Sequence, residues 1–302
     1  MTVINWRLRV RAIVLRLPTT YARVEDAWLS VARGYVPGRY ELRLCLGENV
    51  TTASDVILET RGLSKSFGGF MAVRDVDLAV RRHSIHALIG PNGAGKTTFF
   101  NLLTRFHIPP PGSIHYNGRN ITNVSPAAIS RLGLVRSFQI SAVFGQLSAL
   151  DNIRLALQRK LGVAMTFWRS RRVLSPIDQE ARDLLEAVGL AHFADVPADE
   201  LSYGRKRALE IATTIALDPE MMLLDEPTSG LGVEDIDRIV DLIRTAAKGR
   251  TVVMVEHNLG VVAGLCDQVT VLQRGSILAE GPYAKVAADP RVVEAYVGAE
   301  DE

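Results

Sequence analysis

The sequence predicts an α/β fold with a mostly parallel sheet that is covered by helices. Apolar runs of strand length alternate along the chain with longer segments in which apolar residues recur at helical spacing. The composition agrees with this class, because 47% of the 302 residues are hydrophobic and 23% are charged, as is usual for globular proteins. Disordered, collagenous and fibrous classes are therefore excluded.

The first predicted elements are strands, a glycine-rich loop and a helix. Residues 73–80 alternate apolar and polar side chains, as a half-buried strand does. A strand pattern also opens at residue 56, ahead of a Gly68-Gly69 turn. The apolar run 85–89 predicts a buried strand, and the spacing of later apolar residues predicts a helix from about Lys96.

Beyond about residue 140, the chain is predicted to form helices first and then strands that flank a further helix. Amphipathic helices are expected over 151–159, 178–188 and 205–217, within a helical region of about 140–217. Beyond that region, buried strands are expected over 220–224 and 251–255, with a helix over 233–247 between them.

Neither a spanning helix nor a secretory signal is predicted. The longest run without a charged residue, 137–150, is shorter than the roughly 20 residues that a spanning helix needs. Arg16 interrupts the short apolar run near the N-terminus. The two cysteines, Cys45 and Cys266, cannot make a disulfide framework or a four-ligand zinc site. We therefore expect a protein of the cytoplasm.

The excess of basic over acidic residues lies at the start of the chain. The formal charge is +2, whereas residues 1–55 carry eight arginines and five acidic residues. The remainder is close to neutral, which argues against a nucleic-acid partner. Three interpretations of residues 1–55 are open: an arm that binds a membrane surface or a partner, a disordered tail, or a start codon assigned too far upstream. We favour the last two over a functional arm.

One loop carries the clearest chemical signal. A segment between a predicted strand and a predicted helix fits G-x-x-x-x-G-K-[ST], the pattern of a P-loop. It consists of Gly90, Pro91, Asn92, Gly93, Ala94, Gly95, Lys96 and Thr97, with Thr98 next. Its glycines let successive N–H groups point at phosphate oxygens beside the positive end of a helix. Lys96 would reach the β- and γ-phosphates, and Thr97 would hold Mg²⁺.

Two acidic residues complete the predicted phosphate site. Asp225 and Glu226 follow the apolar strand predicted over 220–224, and ligands bind at the carboxyl ends of strands in such folds. Asp225 is expected to hold Mg²⁺, directly or through water. Glu226 is expected to act as the general base that polarises the water attacking the γ-phosphate.

With these motifs in order, residues 56–302 resemble an ABC-type ATPase. The resemblance implies a P-loop NTPase (RecA-like) core with a small antiparallel β subdomain and an α-helical signature subdomain. It also implies a single nucleotide-binding domain, 56–302, after an extension, 1–55. The implied cofactors are ATP and Mg²⁺, and the implied activity is ATP hydrolysis.

The resemblance implies a nucleotide site that is shared between two subunits. Residues 201–204 look like the signature sequence, which includes Ser202, Tyr203 and Gly204. Ser202 and the Gly204 backbone would contact the γ-phosphate that the P-loop of the opposite subunit holds. Residues 229–231 resemble the D-loop, which lies between the two subunits.

Three further residues acquire roles from the resemblance. Gln139 looks like the Q-loop glutamine, which senses Mg²⁺ and the transporter. His257 looks like the switch histidine that contacts the γ-phosphate. Phe67 lies where the family places an aromatic residue that stacks on adenine.

Narrower features resemble importers of branched-chain amino acids and related solutes. They are the segments 136–139, 201–212 and 255–258 and, in the tail, 280–283 and 294–298. In that group two ATPase subunits, as a homodimer or with a paralogue, serve two transmembrane permease subunits and a solute-binding protein. The subunit would lie at the cytoplasmic face of the inner membrane. The permease would dock near residues 139–165, and Phe167 and Trp168 are candidate contacts or, equally, a solvated helix end.

Departures from the family pattern keep other functions open. Arg205 stands where the signature commonly has Gln, and Gly232 stands where the D-loop often has Asp or Asn. A weakly hydrolysing regulatory subunit is one alternative. Urea import and lipid or polysaccharide export are others, because their ATPase core would be identical. A soluble ABC ATPase acting on DNA or ribosomes is disfavoured, since the chain has one P-loop and neither a coiled-coil nor a zinc insertion.

Overall fold

The computed structural model describes residues 55–107, 111–137, 143–160 and 175–297. The predictions for residues 1–54, for Gln139 and for the Phe167-Trp168 surface lie outside the described residues. The proposed division at residue 55 and the helical-subdomain limits stay predictions. No helix within the described ranges is both long and apolar enough to cross a membrane.

An antiparallel sheet begins the described chain. β1 (Val56–Phe67) and β2 (Phe70–Arg81) pair on either side of the Gly68-Gly69 turn, in which both glycines have positive φ. β4 (Ser113–Tyr116) pairs with β1, and β5 (Arg119–Asn120) pairs with β4, so the order is β2-β1-β4-β5. The alternation predicted over 73–80 is confirmed, because Val73, Val76, Leu78 and Val80 are buried, whereas the charged side chains of β2 are exposed.

A mostly parallel sheet forms the second layer. Its strands are β3 (Ile85–Ile89), β6 (Leu134–Arg136), β7 (Met221–Asp225), β8 (Thr251–Val255), β9 (Gln268–Gln273) and β10 (Ser276–Gly281). Their order is β10-β9-β3-β8-β7-β6, and the β9–β10 pair is antiparallel while the other pairs are parallel. Every residue of β3, β7 and β8 is buried, which confirms the strands predicted from continuous apolar runs.

The helices agree with the periodicity of the sequence. They are α1 (Lys96–Leu103), α2 (Pro126–Arg131), α3 (Ala149–Lys160), α4 (Ser175–Ala187), α5 (Tyr203–Ala216), α6 (Val233–Ala246), α7 (Leu259–Leu265), α8 (Tyr283–Ala287) and α9 (Pro290–Val297). All five helices that the sequence analysis placed are confirmed with ends that differ by up to three residues. α5 begins two residues before the expected position because Ser202 is its N-cap.

The parallel sheet separates two apolar cores. Side chains alternate between the faces of a strand, so Leu224 packs with α3, α4 and α5, whereas Leu223 packs with α1 and the antiparallel sheet. β8 divides in the same way, with Met254 on the helical side and Val255 on the other. The α/β fold with an antiparallel β layer is thus confirmed, and burial on both faces anchors the strands that end at the site.

Candidate nucleotide site

Three neighbouring strands bring the predicted site residues to one edge of the parallel sheet. β3 leads into Gly90, β7 into Glu226 and β8 into His257, and β8 lies between the other two strands. Because parallel strands end at the same edge, the three segments that follow them meet there.

The loop between β3 and α1 has the backbone of a phosphate cradle. Gly90, Gly93 and Gly95 have φ values of 145°, 75° and 101°, and Gly95 is the N-cap of α1. A side-chain carbon on Gly90 would collide with the carbonyl oxygen of Leu272, and one on Gly95 with that of Ala72. Glycine is therefore required by space as well as by conformation.

Lys96 folds back over this loop. Its ammonium group donates to the carbonyl oxygens of Gly90 at 2.7 Å and Pro91 at 2.9 Å. Burial lowers the pKa of Lys96, and the carboxylates of Asp225 and Glu226 act in the opposite direction. The ammonium group is thus subject to the negative charge of both acidic residues, and phosphate oxygens would compete with the two carbonyl groups for its protons.

Asp225 is the buried acid of the site. Its Oδ2 lies 2.6 Å from Arg136 Nη2, and Arg136 also donates to Asn101 Oδ1 at 2.7 Å. Oδ1 of Asp225 is buried and has no hydrogen-bond partner among the described residues. A buried carboxylate oxygen of this kind suits a hard cation such as Mg²⁺.

The described residues fit a metal that is shared with a nucleotide. In the part of the chain that the structure describes, no three acidic, histidine or cysteine side chains cluster to form a metal site of their own. Mg²⁺ keeps several waters and binds through one or two protein groups and substrate phosphates. Asp225 and the exposed Thr97 at the second position of α1 are compatible with that mode.

Glu226 and His257 form a pair at the mouth of the site. Glu226 Oε1 lies 3.0 Å from His257 Nε2. The φ angle of Glu226 is 47°, a conformation that is uncommon for a residue with a side chain and that costs free energy. Its backbone N–H donates to the Val255 carbonyl at 3.0 Å, so β8 holds the strained residue in place.

Glu256 is a site residue to which the sequence analysis gave no role. It is 2% exposed, and its carboxylate accepts hydrogen bonds from the N–H and hydroxyl groups of Thr228 at 2.9 and 2.7 Å. The same carboxylate accepts from the backbone N–H groups of His257 at 3.0 Å and Asn258 at 3.3 Å. It therefore links the backbone of the segment that follows Glu226 to the backbone of the segment that contains His257. In the sequence, the signal for Glu256 is its position directly before His257.

Arg207 is a second residue without a predicted role. It lies on α5, pairs with Glu210 at 2.6 Å and is 6% exposed. Its guanidinium also donates to the carbonyl oxygens of Asp225, Glu226 and Pro227 at 2.5, 2.7 and 3.1 Å. The helix that follows the signature is thus bonded to the backbone of the acidic segment. No local pattern distinguishes this arginine from the solvated cations of an amphipathic helix.

The signature residues lie at the start of α5. Ser202 is the N-cap, and Tyr203 is 56% exposed. A side-chain carbon on Gly230 would lie 3.4 Å from the Tyr203 ring, and one on Gly204 would collide with the Asp235 carboxylate. Glycine at position 204 therefore allows α5 to approach α6 closely.

The two departures from the family pattern have local explanations. The Arg205 guanidinium lies 4.0 Å from the centre of the Phe193 ring, and Lys206 donates to the Asp199 carbonyl at 2.9 Å. Gly232 is the N-cap of α6, and no atom would lie within 4 Å of a side-chain carbon there. The glycine is therefore not required by packing within this chain.

Phe67 lies at the end of β1 with 44% of its surface exposed. The His107 ring meets it edge-on at 5.1 Å, and the Lys65 ammonium lies 5.2 Å from its centre. Burial lowers the pKa of His107, as do the charges of Lys65 and Arg136. An exposed aromatic ring is able to stack on a base.

Profiles of two protein families match the chain. The ABC transporter family matches residues 73–229, and the branched-chain amino acid ATP-binding cassette transporter family matches residues 276–302. The first match spans the P-loop, the signature and the acidic pair. The second spans β10, α8 and α9.

Curated relatives and solved structures agree with these profiles. The branched-chain amino acid transport ATP-binding protein LivG of Salmonella typhimurium is 36% identical, over 81% of this chain and 99% of that protein. The corresponding protein BraF of Pseudomonas aeruginosa is 37% identical, over 80% and 98%. The ADP conformation of MJ1267, an ATP-binding cassette of an ABC transporter, matches 80% of this chain and 99% of its own, with a TM-score of 0.70 and 30% identity. The chain therefore belongs to the ABC transporter family, and it is an ATPase of the ATP-binding cassette type.

Proposed function

We propose that this protein is the ATP-binding and ATP-hydrolysing subunit of an importer for branched-chain amino acids or related solutes. The observation that carries hydrolysis is the contact of Glu226 with His257 beside the P-loop lysine. The import of branched-chain amino acids rests on the similarity to LivG and BraF and on the matched tail. A purely regulatory subunit is less well supported, because the proposed lysine, acids and histidine are all present.

The proposed site binds ATP through the P-loop, residues 90–98, with Phe67 against adenine. Lys96 would exchange its two carbonyl partners for phosphate oxygens, since charged acceptors bind an ammonium group more strongly than neutral ones. Thr97, Asp225 and Gln139 would hold Mg²⁺, which supplies charge neutralisation of the phosphates when it is bound.

Glu226 is the proposed general base. Its carboxylate would accept a proton from the water that attacks the γ-phosphate. His257 would orient this carboxylate through the 3.0 Å contact and would reach the γ-phosphate. Ser202, Tyr203 and Gly204 of a second ATPase subunit, a copy or a paralogue, would complete the site from the opposite side.

The proposed partners are two transmembrane permease subunits and, through them, a solute-binding protein. A cavity of about 530 Å³ lies between α2, β6 and α3. The side chains of Phe106, Phe144 and Leu155 line it and are 55%, 62% and 40% exposed. It opens near the predicted docking region 139–165, and an amphipathic permease segment would cover these apolar side chains. This arrangement would place the subunit peripherally, at the cytoplasmic face of the inner membrane.

The test compares ATP turnover of the wild type with Glu226→Gln, both assembled with the membrane proteins that co-purify with the full chain. We expect turnover to fall at least about 100-fold, as for loss of a general base, while ATP binding persists. Glu234→Gln is the matched control, because Glu234 is an exposed acid in the first turn of α6. Hydrolysis is refuted if the wild type turns over no faster than Glu226→Gln. The proposed solute is refuted if leucine, isoleucine and valine fail to stimulate turnover in the assembled transporter.

A further inference from the structure

Phe67, the residue proposed to stack on adenine, lies at the open end of a hairpin. It is the last residue of β1, directly before the Gly68-Gly69 turn. No described atom would lie within 4 Å of a side-chain carbon at either glycine, and 44% of the Phe67 surface is exposed. The orientation of the ring therefore depends on the side chains that meet it.

His107 is one such side chain, and it comes from a different part of the chain. The centres of the His107 and Phe67 rings lie 5.1 Å apart, with an angle of 71° between the ring planes. This edge-to-face arrangement is one of the favoured geometries of an aromatic pair. Because His107 lies shortly after the end of α1, the contact joins the β1–β2 hairpin to the segment that follows the P-loop helix.

Asn101 of α1 holds His107 in place. Its backbone carbonyl accepts hydrogen bonds from the N–H groups of Phe106 at 2.8 Å and His107 at 3.4 Å. Its side-chain Nδ2 lies 3.4 Å from His107 Nε2, and its Oδ1 accepts from Arg136 Nη1 at 2.7 Å. Since an arginine can only donate, the amide orientation is fixed with the NH₂ group of Asn101 towards the His107 ring.

This orientation also determines the protonation state of the histidine. An amide nitrogen can only donate, so His107 Nε2 must accept and the ring must be neutral. Burial lowers the pKa of His107, as do the charges of Lys65 and Arg136, which favours the same neutral form. The ring that meets Phe67 is thus anchored to α1 in the state that its hydrogen bond requires.

We propose that His107 is a positioning residue of the nucleotide site, which orients the Phe67 ring for stacking on adenine and links it to the P-loop helix. The inference rests on the proposed function, in which Phe67 binds adenine and the P-loop binds the phosphates. α1 begins at Lys96 and carries Asn101, so one helix connects the adenine-binding ring with the phosphate-binding loop. A ring that is oriented before binding loses less conformational freedom when the base arrives.

The experiment measures the Kd of Mg²⁺–ATP for the full chain by calorimetry, with the KM and kcat of turnover in the assembled transporter. For His107→Ala we expect Kd and KM to rise about 3- to 10-fold, the value of one aromatic pair, with kcat within about twofold of the wild type. His107→Phe keeps an aromatic edge and should bind within about twofold of the wild type. His192→Ala, which removes an exposed histidine, is the matched control and should leave Kd unchanged.

A double-mutant cycle tests whether His107 acts through Phe67. In a Phe67→Ala background, His107→Ala should cause no further rise in Kd, because the ring that it orients is absent. An unchanged Kd in His107→Ala, an equal rise in both backgrounds, or a His107→Phe protein as weak as His107→Ala would overturn the role of His107. Normal affinity in Phe67→Ala would instead overturn the proposed adenine contact, and normal affinity in Lys96→Ala would overturn the P-loop assignment.

Discussion

Arg136 Nη2 lies 2.6 Å from Asp225 Oδ2, and the two side chains are only 6% and 1% exposed. Arg136 ends β6 and Asp225 ends β7, which are adjacent parallel strands. Through Asn101, the same arginine also contacts α1. The proposed metal ligand is therefore neutralised by a cation that also connects two strands with the P-loop helix.

The first prediction concerns this ion pair. Arg136→Gln should lower the free energy of unfolding by about 3 kcal/mol in the absence of nucleotide, because it leaves the buried Asp225 carboxylate without its counter-charge. With Mg²⁺ and ADP bound, the loss should be smaller, since the metal replaces the missing positive charge. Urea denaturation with and without Mg²⁺–ADP measures both values. Arg131→Gln, at an exposed position, is the control, and an equal loss under both conditions would contradict the prediction.

The second prediction concerns Glu256. Glu256→Gln should cost about 2–3 kcal/mol of stability, because the new amide group would face backbone N–H donors that now bond to a carboxylate. Turnover should fall as well, since the backbones of Thr228 and His257 lose their common anchor. Chemical denaturation and ATPase assays test the two effects. The control is Glu294→Gln, on the exposed face of α9, which should leave stability and turnover unchanged. The prediction would be contradicted by a Glu256→Gln protein with wild-type stability and turnover, because the four hydrogen bonds of Glu256 would then contribute to neither.

The third prediction concerns the pH dependence of stability. His86 is 1% exposed, its Nε2 lies 2.8 Å from Thr270 Oγ1, and burial lowers its pKa to about 4. In the unfolded chain the same group binds a proton near pH 6.5, so stability is fully present above pH 6.5 and is lost as the pH falls towards 4. We expect His86 to contribute about 2 kcal/mol to the loss between pH 7 and pH 5.

Urea denaturation at a series of pH values measures this contribution. His86→Asn should flatten the acid side of the stability profile by that amount, whatever its effect at pH 7. His192→Gln, which changes an exposed histidine, should keep the wild-type slope. A profile of His86→Asn that runs parallel to the wild type would show that the buried ring does not titrate in this range.

The sequence alone predicted the parts of the site that lie close together along the chain. The P-loop requires glycines at fixed positions because their φ values and close neighbours exclude side chains. The acidic pair could be assigned because it follows a continuous apolar run, and the helices because apolar residues repeat at 3.6-residue spacing. The resemblance of the ordered motifs then predicted the family, which the comparisons confirmed.

The tertiary structure alone decided which distant residues share the site. Arg136 and Asp225 are 89 positions apart, and only the order of β6, β7 and β8 makes them neighbours. Periodicity reports which face of an element is apolar, but it does not report which strand lies beside it. For the same reason Arg207 and Glu256 were not recognised as supports of the site. Their roles depend on hydrogen bonds to the backbone groups of residues that are distant in the sequence. Because every residue carries such backbone groups, no residue type in the sequence marks which of them will be the partners.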